Sequence, residues 1–295
     1  MKKRRPQSLD NYTFLFFTLP AVILYTYFYI YSLITGIGYS FTNWNGIDPT
    51  YEFNGLRNYA LLMQNPRFWN SLRVTLVYGV MLLFSVIIMS LLLALCLDSL
   101  KRFKTFTKSI FFFPAMISAV AISLIWDQLF YRAVPVIGET LGIAALSQSP
   151  LANPKLALVG VVFVNAWQAV AMPTLIFLAG LQSIPAEMHE SAMIDGASPF
   201  ERFRHITFPY LLPTVTVNMV LTIKQGITTF DFPFALSAGT GGPARSTEVI
   251  GIMIYNDAFQ SMKFSMANAE AVILFIIIAF FSFIQIKVSS KGGVN

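Results

Sequence analysis

Five polar residues stand in one row within an apolar stretch: Thr214, Asn218, Thr222, Gln225 and Thr229, spaced 4, 4, 3 and 4. On an α-helix these spacings define a single face. Amide and hydroxyl groups on such a face can line a path for a hydrogen-bonding solute such as a polyol or sugar. They can equally bond across to a neighbouring helix, and the sequence leaves both readings open. Lys224 and Asp231 fall on adjoining faces. Ionisable groups within an apolar span are costly and turn toward a cavity or a partner. Asn165 and Gln168, three apart on another apolar stretch, form a second, smaller set.

Other chemistry is excluded. His189-Glu190 begins the zinc pattern H-E-x-x-H, but Met193 occupies the position of the second histidine. No Cys/His spacing suits a metal, and the single cysteine, Cys96, has no partner and lies in an apolar run. No G-x-x-x-x-G-K-[ST] phosphate loop is present, so the chain is not expected to hydrolyse ATP. His205 reads as a surface or docking residue. The net charge of +6 does not point to nucleic acid, because the basic residues are not gathered on a soluble domain.

The elements that must position the polar row are membrane helices. The chain is 56% hydrophobic and only 12% charged, with a mean hydropathy of +0.64. Soluble domains carry about twice that share of charge. Six stretches approach the ~20 apolar residues that a helix needs to cross a bilayer: about 12–37, 72–97, 109–130, 156–181, 211–236 and 267–286. The first is too long for a signal-peptide core, and no A-x-A-like site follows, so it reads as an uncleaved span. The expected architecture is an all-α integral membrane protein, with an N-terminal tail at 1–11 and one transmembrane domain over 12–295.

Lysine and arginine set the orientation. One side of this topology holds Lys2, Lys3, Arg4, Arg5, Lys101, Arg102, Lys104, Lys108, Arg202, Arg204, Lys287 and Lys291. The other holds Arg57, Arg67, Arg73, Arg132, Lys155, Arg245 and Lys263. The richer side is expected to be cytoplasmic, which places both termini and the 182–210 segment inside. Among the outer loops, 38–71 carries Trp44, Asn45, Gly46 and Trp69 and reads as an interfacial cap or docking surface. Residues 240–247, Thr-Gly-Gly-Pro-Ala-Arg-Ser-Thr, form a turn-rich loop. Trp126-Asp127-Gln128 reads as part of a vestibule.

The 182–210 segment is polar and helix-forming. Ser183 is placed to cap a helix that begins near Pro185. Gly196 follows its last turn, where a left-handed residue closes a helix. Ser198-Pro199-Phe200-Glu201 has capping-box spacing and opens a second short helix, expected to stop at Pro209. The segment therefore reads as two short helices joined by a glycine turn, outside the membrane.

One spacing is more specific: Glu190-Ser191-Ala192, three residues, Gly196, nine residues, Ile206, one residue, Phe208-Pro209. It resembles the EAA loop of binding-protein-dependent ABC importer permeases, with Ser191 for alanine and Phe208 for leucine. Asp195-Gly196-Ala197 strengthens the match. Asn54-Gly55-Leu56-Arg57-Asn58-Tyr59 and Gly241-Gly242-Pro243 with Ser246-Thr247 resemble the carbohydrate-uptake subgroup, of the first-permease type. The resemblance implies a type I importer permease fold with six transmembrane helices and a cytoplasmic coupling helix over 186–195. That helix would dock on a separate ATPase, through Glu187, Glu190, Ser191, Ala192, Asp195, Gly196, Ala197, Ile206 and Pro209. It further implies a plasma-membrane complex with a second permease subunit, two ATPase subunits holding ATP and Mg, and an extracytoplasmic solute-binding protein delivering a carbohydrate. No cofactor is expected on this chain. Two rival classes fit less well. A secondary transporter would need ion-coupling sites and an internal repeat, and an intramembrane enzyme has only the scattered Asp127, Lys224 and Asp231 to draw on.

Overall fold

The computed structural model describes residues 7–100 and 104–292. Among these, every regular element is helical, apart from one antiparallel bridge between Thr42 and Phe53. The helices are α1 Gln7–Tyr25, α2 Ser32–Tyr39, α3 Arg57–Met63, α4 Pro66–Ser99, α5 Lys104–Phe112, α6 Ala119–Gln128, α7 Val134–Thr140 and α8 Ala157–Ala169. There follow α9 Ala171–Gln182, α10 Ala186–Ile194, α11 Pro199–Arg202, α12 Phe208–Ile227, α13 Asp231–Leu236, α14 Ile250–Tyr255 and α15 Phe264–Gly292. Five stretches are long and apolar enough to cross a membrane: Phe16–Tyr39, Pro66–Ser99, Ala119–Thr140, Pro199–Ile227 and Phe264–Ile284. The pair α8 and α9, bent by 50°, makes a sixth, broken span.

Several boundaries differ from the sequence reading, each for a local reason. The third span is not 109–130: the helix breaks at Ile117 and Ser118, and the apolar helix runs Ala119–Thr140. A 3₁₀ turn over Phe113–Met116, with Pro114 in its first turn, ends α5, and the Ser118 side chain caps the next helix through the Ala121 N–H. The break in the fourth span has its signal in Pro173, which cannot donate to the carbonyl of Ala169, where α8 ends. The second short helix does not stop at Pro209. It widens into a π turn over Phe203–Thr207 and continues as α12 through Pro209 and Pro213. The wider turn directly before Pro209 relieves the clash of its ring with the carbonyl of His205. The fifth span ends at Ile227 rather than near 236, and α13 is a separate element.

The chain forms two compact units. One holds the residues up to Gln64 together with Asp257–Ile273. Here the motif around Asn58 has a structural explanation. The buried Asn58 amide donates to the carbonyls of Ser40 and Thr42, both at 2.8 Å, and so pins the end of the first span. The Tyr59 hydroxyl meets Ser40 Oγ at 2.7 Å, and Thr42 Oγ1 meets Ser265 Oγ at 2.9 Å. Tyr39, Trp44 and Tyr51 pack as one aromatic cluster.

The other unit holds Asn65–Asn256 and the chain from Leu274. Its axis is α4, which packs against α8, α9, α12 and α14. Tyr78, Leu82 and Val86 meet Ile122, Val161 and Val164 in one core cluster, and Ala94 and Leu97 meet Phe177, Leu178 and Leu211 in another. α4 and α12 cross so closely that position 226 requires glycine: a Cβ on Gly226 would lie 2.7 Å from Gly79 Cα.

Candidate functional site

The 182–210 segment is held by local hydrogen bonds. Pro185, not Ser183, occupies the cap position of α10, while the Ser183 hydroxyl turns back to the Gly180 carbonyl at 2.7 Å. At the far end the Ala197 N–H bonds the Ala192 carbonyl at 2.9 Å, and the Gly196 N–H bonds Met193 at 3.2 Å. This paired closure needs the left-handed φ of +82° at Gly196. The next helix starts with a full capping box: Ser198 N–H donates to Glu201 Oε2 at 2.7 Å, and Glu201 N–H to Ser198 Oγ at 3.3 Å.

The bend between α10 and α11 is therefore set by backbone geometry. No residue of α10 is buried. Glu187, Glu190, Ser191, Asp195, Gly196 and Pro209 are exposed, and Ala192, Ala197 and Ile206 are half-buried. Apolar side chains are exposed with them, Ile194 at 86% and Phe200 at 69%. An apolar patch on a rigid, otherwise polar corner is what a protein partner covers.

The polar row on α12 divides in two. Asn218 and Thr222 are buried: Asn218 donates to the Pro173 carbonyl at 3.3 Å, at the bend of the broken span, and the Thr222 hydroxyl returns to the Asn218 carbonyl. Thr229 is not on the helical face, because α12 ends at Ile227; it is buried in the break. Gln225 reaches Asn165 Oδ1 at 3.3 Å, and Asn165 donates to the Tyr78 hydroxyl at 2.6 Å. Gln168 lies apart, bonding the Ile117 carbonyl at 2.8 Å where the third span begins. The exposed stripe of α12 is the neighbouring one: Val217, Leu221, Lys224 and Thr228, with Gln225 beside it and Asp231 just past the break. Thr228 lies outside the row that the 214–229 spacing picks out. Its signal was the same i, i+4 spacing, counted from Lys224 instead of Asn218.

Past α13 lies the turn-rich loop. Six of its eight residues from 238 to 245 have left-handed φ: Ala238, Gly239, Gly241, Gly242, Ala244 and Arg245. A Cβ on Gly241 would lie 2.6 Å from Glu248 Cβ, and one on Gly242 would lie 2.6 Å from Thr247 Oγ1. Glu248 anchors the loop. It is 1% exposed and accepts from Arg67 Nη2 at 2.7 Å and Nε at 3.0 Å, with Arg245 Nη1 at 3.6 Å and Ser71 Oγ at 3.4 Å. Arg67 stands in the first turn of α4, so the loop is tied to the central helix.

Broken apolar spans, an exposed polar stripe beside one break and an exposed helical corner suit a membrane transport subunit. The profile of the family described as "Binding-protein-dependent transport system inner membrane component" matches residues 60–291. The chain belongs to that family and is a transport subunit rather than an enzyme. It is 41% identical over 283 residues to the multiple sugar-binding transport system permease protein MsmF of Streptococcus mutans, covering 96% of this chain and 97% of that one. It is 31% identical over 279 residues to the probable starch degradation products transport system permease protein AmyD of Thermoanaerobacterium thermosulfurigenes, covering 95% and 94%. Its fold is that of a chain in the crystal structure of a bacterial ABC transporter involved in the import of the acidic polysaccharide alginate. That match has a TM-score of 0.81 and 21% identity, and covers 97% of this chain and 98% of the other.

Proposed function

We propose that this chain is the carbohydrate-conducting permease subunit of an ATP-driven importer, forming half of a pathway with a second permease. The carbohydrate class is supported by the named relatives, MsmF and AmyD. The observation that carries the coupling is α10 itself, a helix with no buried residue, held at a fixed angle and presenting Met193 and Ile194. This chain supplies no phosphate loop, so force must enter from separate ATPase subunits, and α10 is the contact through which it enters. Both termini and the 182–210 segment face the cytoplasm, as the lysine and arginine distribution indicates. Solute arrives on the opposite side from a binding protein. Movement of α10 by the ATPases is transmitted along the helix from Pro199 through Ile227, which exposes the pathway alternately to each side.

The test uses the complete importer in proteoliposomes. Ile194→Asp, which puts a charge into the apolar contact, is expected to lower uptake of maltotriose by about thirtyfold and to release the ATPase subunits on purification. Undiminished uptake with the ATPase retained would remove α10 from the coupling role.

Within the pathway, the exposed stripe is assigned to solute and the buried pair to structure. Lys224→Leu and Asp231→Leu are each expected to lower uptake about tenfold with the complex fully assembled. Asn218→Leu is expected instead to reduce the yield of assembled complex, because its amide joins α12 to the Pro173 bend. Quantified complex and initial uptake rates, measured on the same membranes, separate the two outcomes.

A further inference from the structure

At the end of α12 opposite the 182–210 segment, beyond the break, a cavity of about 530 Å³ lies beside α13. One wall carries Leu124, Asp127 and Tyr131, and the facing wall carries Ser237, Thr240 and Pro243 of the left-handed loop. Its volume is in the range of small-molecule sites, which combine an apolar lining with a few convergent polar groups. Neither the Asp127 carboxylate nor the Tyr131 hydroxyl has a hydrogen-bond or ionic partner among the described residues. The Ser237 hydroxyl donates to the Pro233 carbonyl at 2.6 Å and accepts from Gly241 N–H at 3.1 Å. Thr240 Oγ1 does the same with the Ser237 carbonyl at 2.6 Å and Gly242 N–H at 3.2 Å. Each of these oxygens keeps one lone pair for a ligand.

We propose that this cavity is a second binding site, separate from the α12 stripe, for a neutral glycosyl unit. The site rests on the carbohydrate reading above and adds a place and a charge class to it. A carboxylate accepts from adjacent sugar hydroxyls, and a tyrosine offers an apolar ring flank together with a hydroxyl. The loop wall is closely packed and tied down. Gly241 and Gly242 lie directly against Glu248 and Thr247, and Glu248 is held by Arg67. Little ordering cost then remains for a ligand to meet. Asp127 is the carboxylate lining the cavity, and it disfavours uronates and sugar phosphates.

The test uses the complete importer in phosphatidylcholine nanodiscs, free of glycolipid, with Cys96→Ser and Ala152→Cys on the cavity rim. Labelling of the new thiol by a polar maleimide is expected to slow with free maltotriose or raffinose in the absence of binding protein. Asp127→Asn and Tyr131→Ala are each expected to need about tenfold more sugar for the same protection. The assignment is overturned if neither sugar protects the thiol although the importer transports them. It is overturned equally if both variants are protected like the parent, or if the acidic trigalacturonate protects better than maltotriose. If the importer with native Asp127 and Tyr131 transports neither neutral sugar, the carbohydrate reading fails first, and transport assays report that independently of the labelling.

Discussion

Glu248→Ala is expected to destabilise the helical unit built on α4 by about 3 kcal/mol. The carboxylate is buried and joins two elements far apart in sequence, accepting from Arg67 181 residues away and lying beside Arg245. Its removal takes the buried carboxylate away from the Arg67 guanidinium. That side chain is 22% exposed, so water offsets part of the loss, and the expected effect sits at the lower end for a broken buried pair. The replacement also frees a loop in which Ala238, Ala244 and Arg245 hold left-handed conformations that cost free energy wherever neighbours do not enforce them. The double replacement Arg67→Met with Glu248→Leu is expected to recover most of the loss, because two apolar groups need no compensation. Unfolding of the nanodisc-embedded complex by heat, read for Arg67→Met, Glu248→Leu and the double, gives the coupling energy directly. Additive losses would show that the pair does not hold the loop.

The second large effect is asymmetric. Gly226→Ala is expected to cost about 2 kcal/mol, and Gly79→Ala almost nothing, although the two glycines face each other. A methyl on Gly226 would lie 2.7 Å from the Gly79 Cα, a backbone atom that moves only if a helix moves. A methyl on Gly79 would find its nearest neighbour at 3.7 Å, an ordinary contact, and alanine is the better helix former. Because α12 carries the exposed stripe at one end and continues from the 182–210 corner at the other, displacing it also disturbs transport. Uptake is expected to fall with stability for Gly226→Ala and to stay at the native level for Gly79→Ala. Equal behaviour of the two variants would mean that the helices cross elsewhere.

Much of the candidate site was legible because it is local. The Gly196 turn and the Ser198–Glu201 capping box depend on hydrogen bonds within a few residues, and both appear where spacing put them. Pro173 is a local signal for the bend of the fourth span. Pro209 signals a stop, but a π turn lets the helix pass. A proline constrains the backbone without saying which of several local remedies the rest of the chain makes cheapest.

The fate of the polar row shows where sequence alone ends. Periodicity placed Asn218, Thr222 and Gln225 on one side of a helix. It could not say that this side turns toward Pro173 and Asn165 while Lys224 and Thr228 look outward. In a soluble protein hydropathy would settle such a question, but in lipid the outer surface is as apolar as the core, so the two faces of a span carry no contrast. The amino-acid sequence by itself determined an all-helical membrane chain, the number of its spans and the rigid corner at 182–210, because these follow from apolar length and near-neighbour hydrogen bonds. Only the tertiary structure decided which stripe of α12 is exposed, where the spans break, and that Glu248 meets Arg67 to hold one wall of a cavity. Those outcomes rest on contacts between residues distant in the chain.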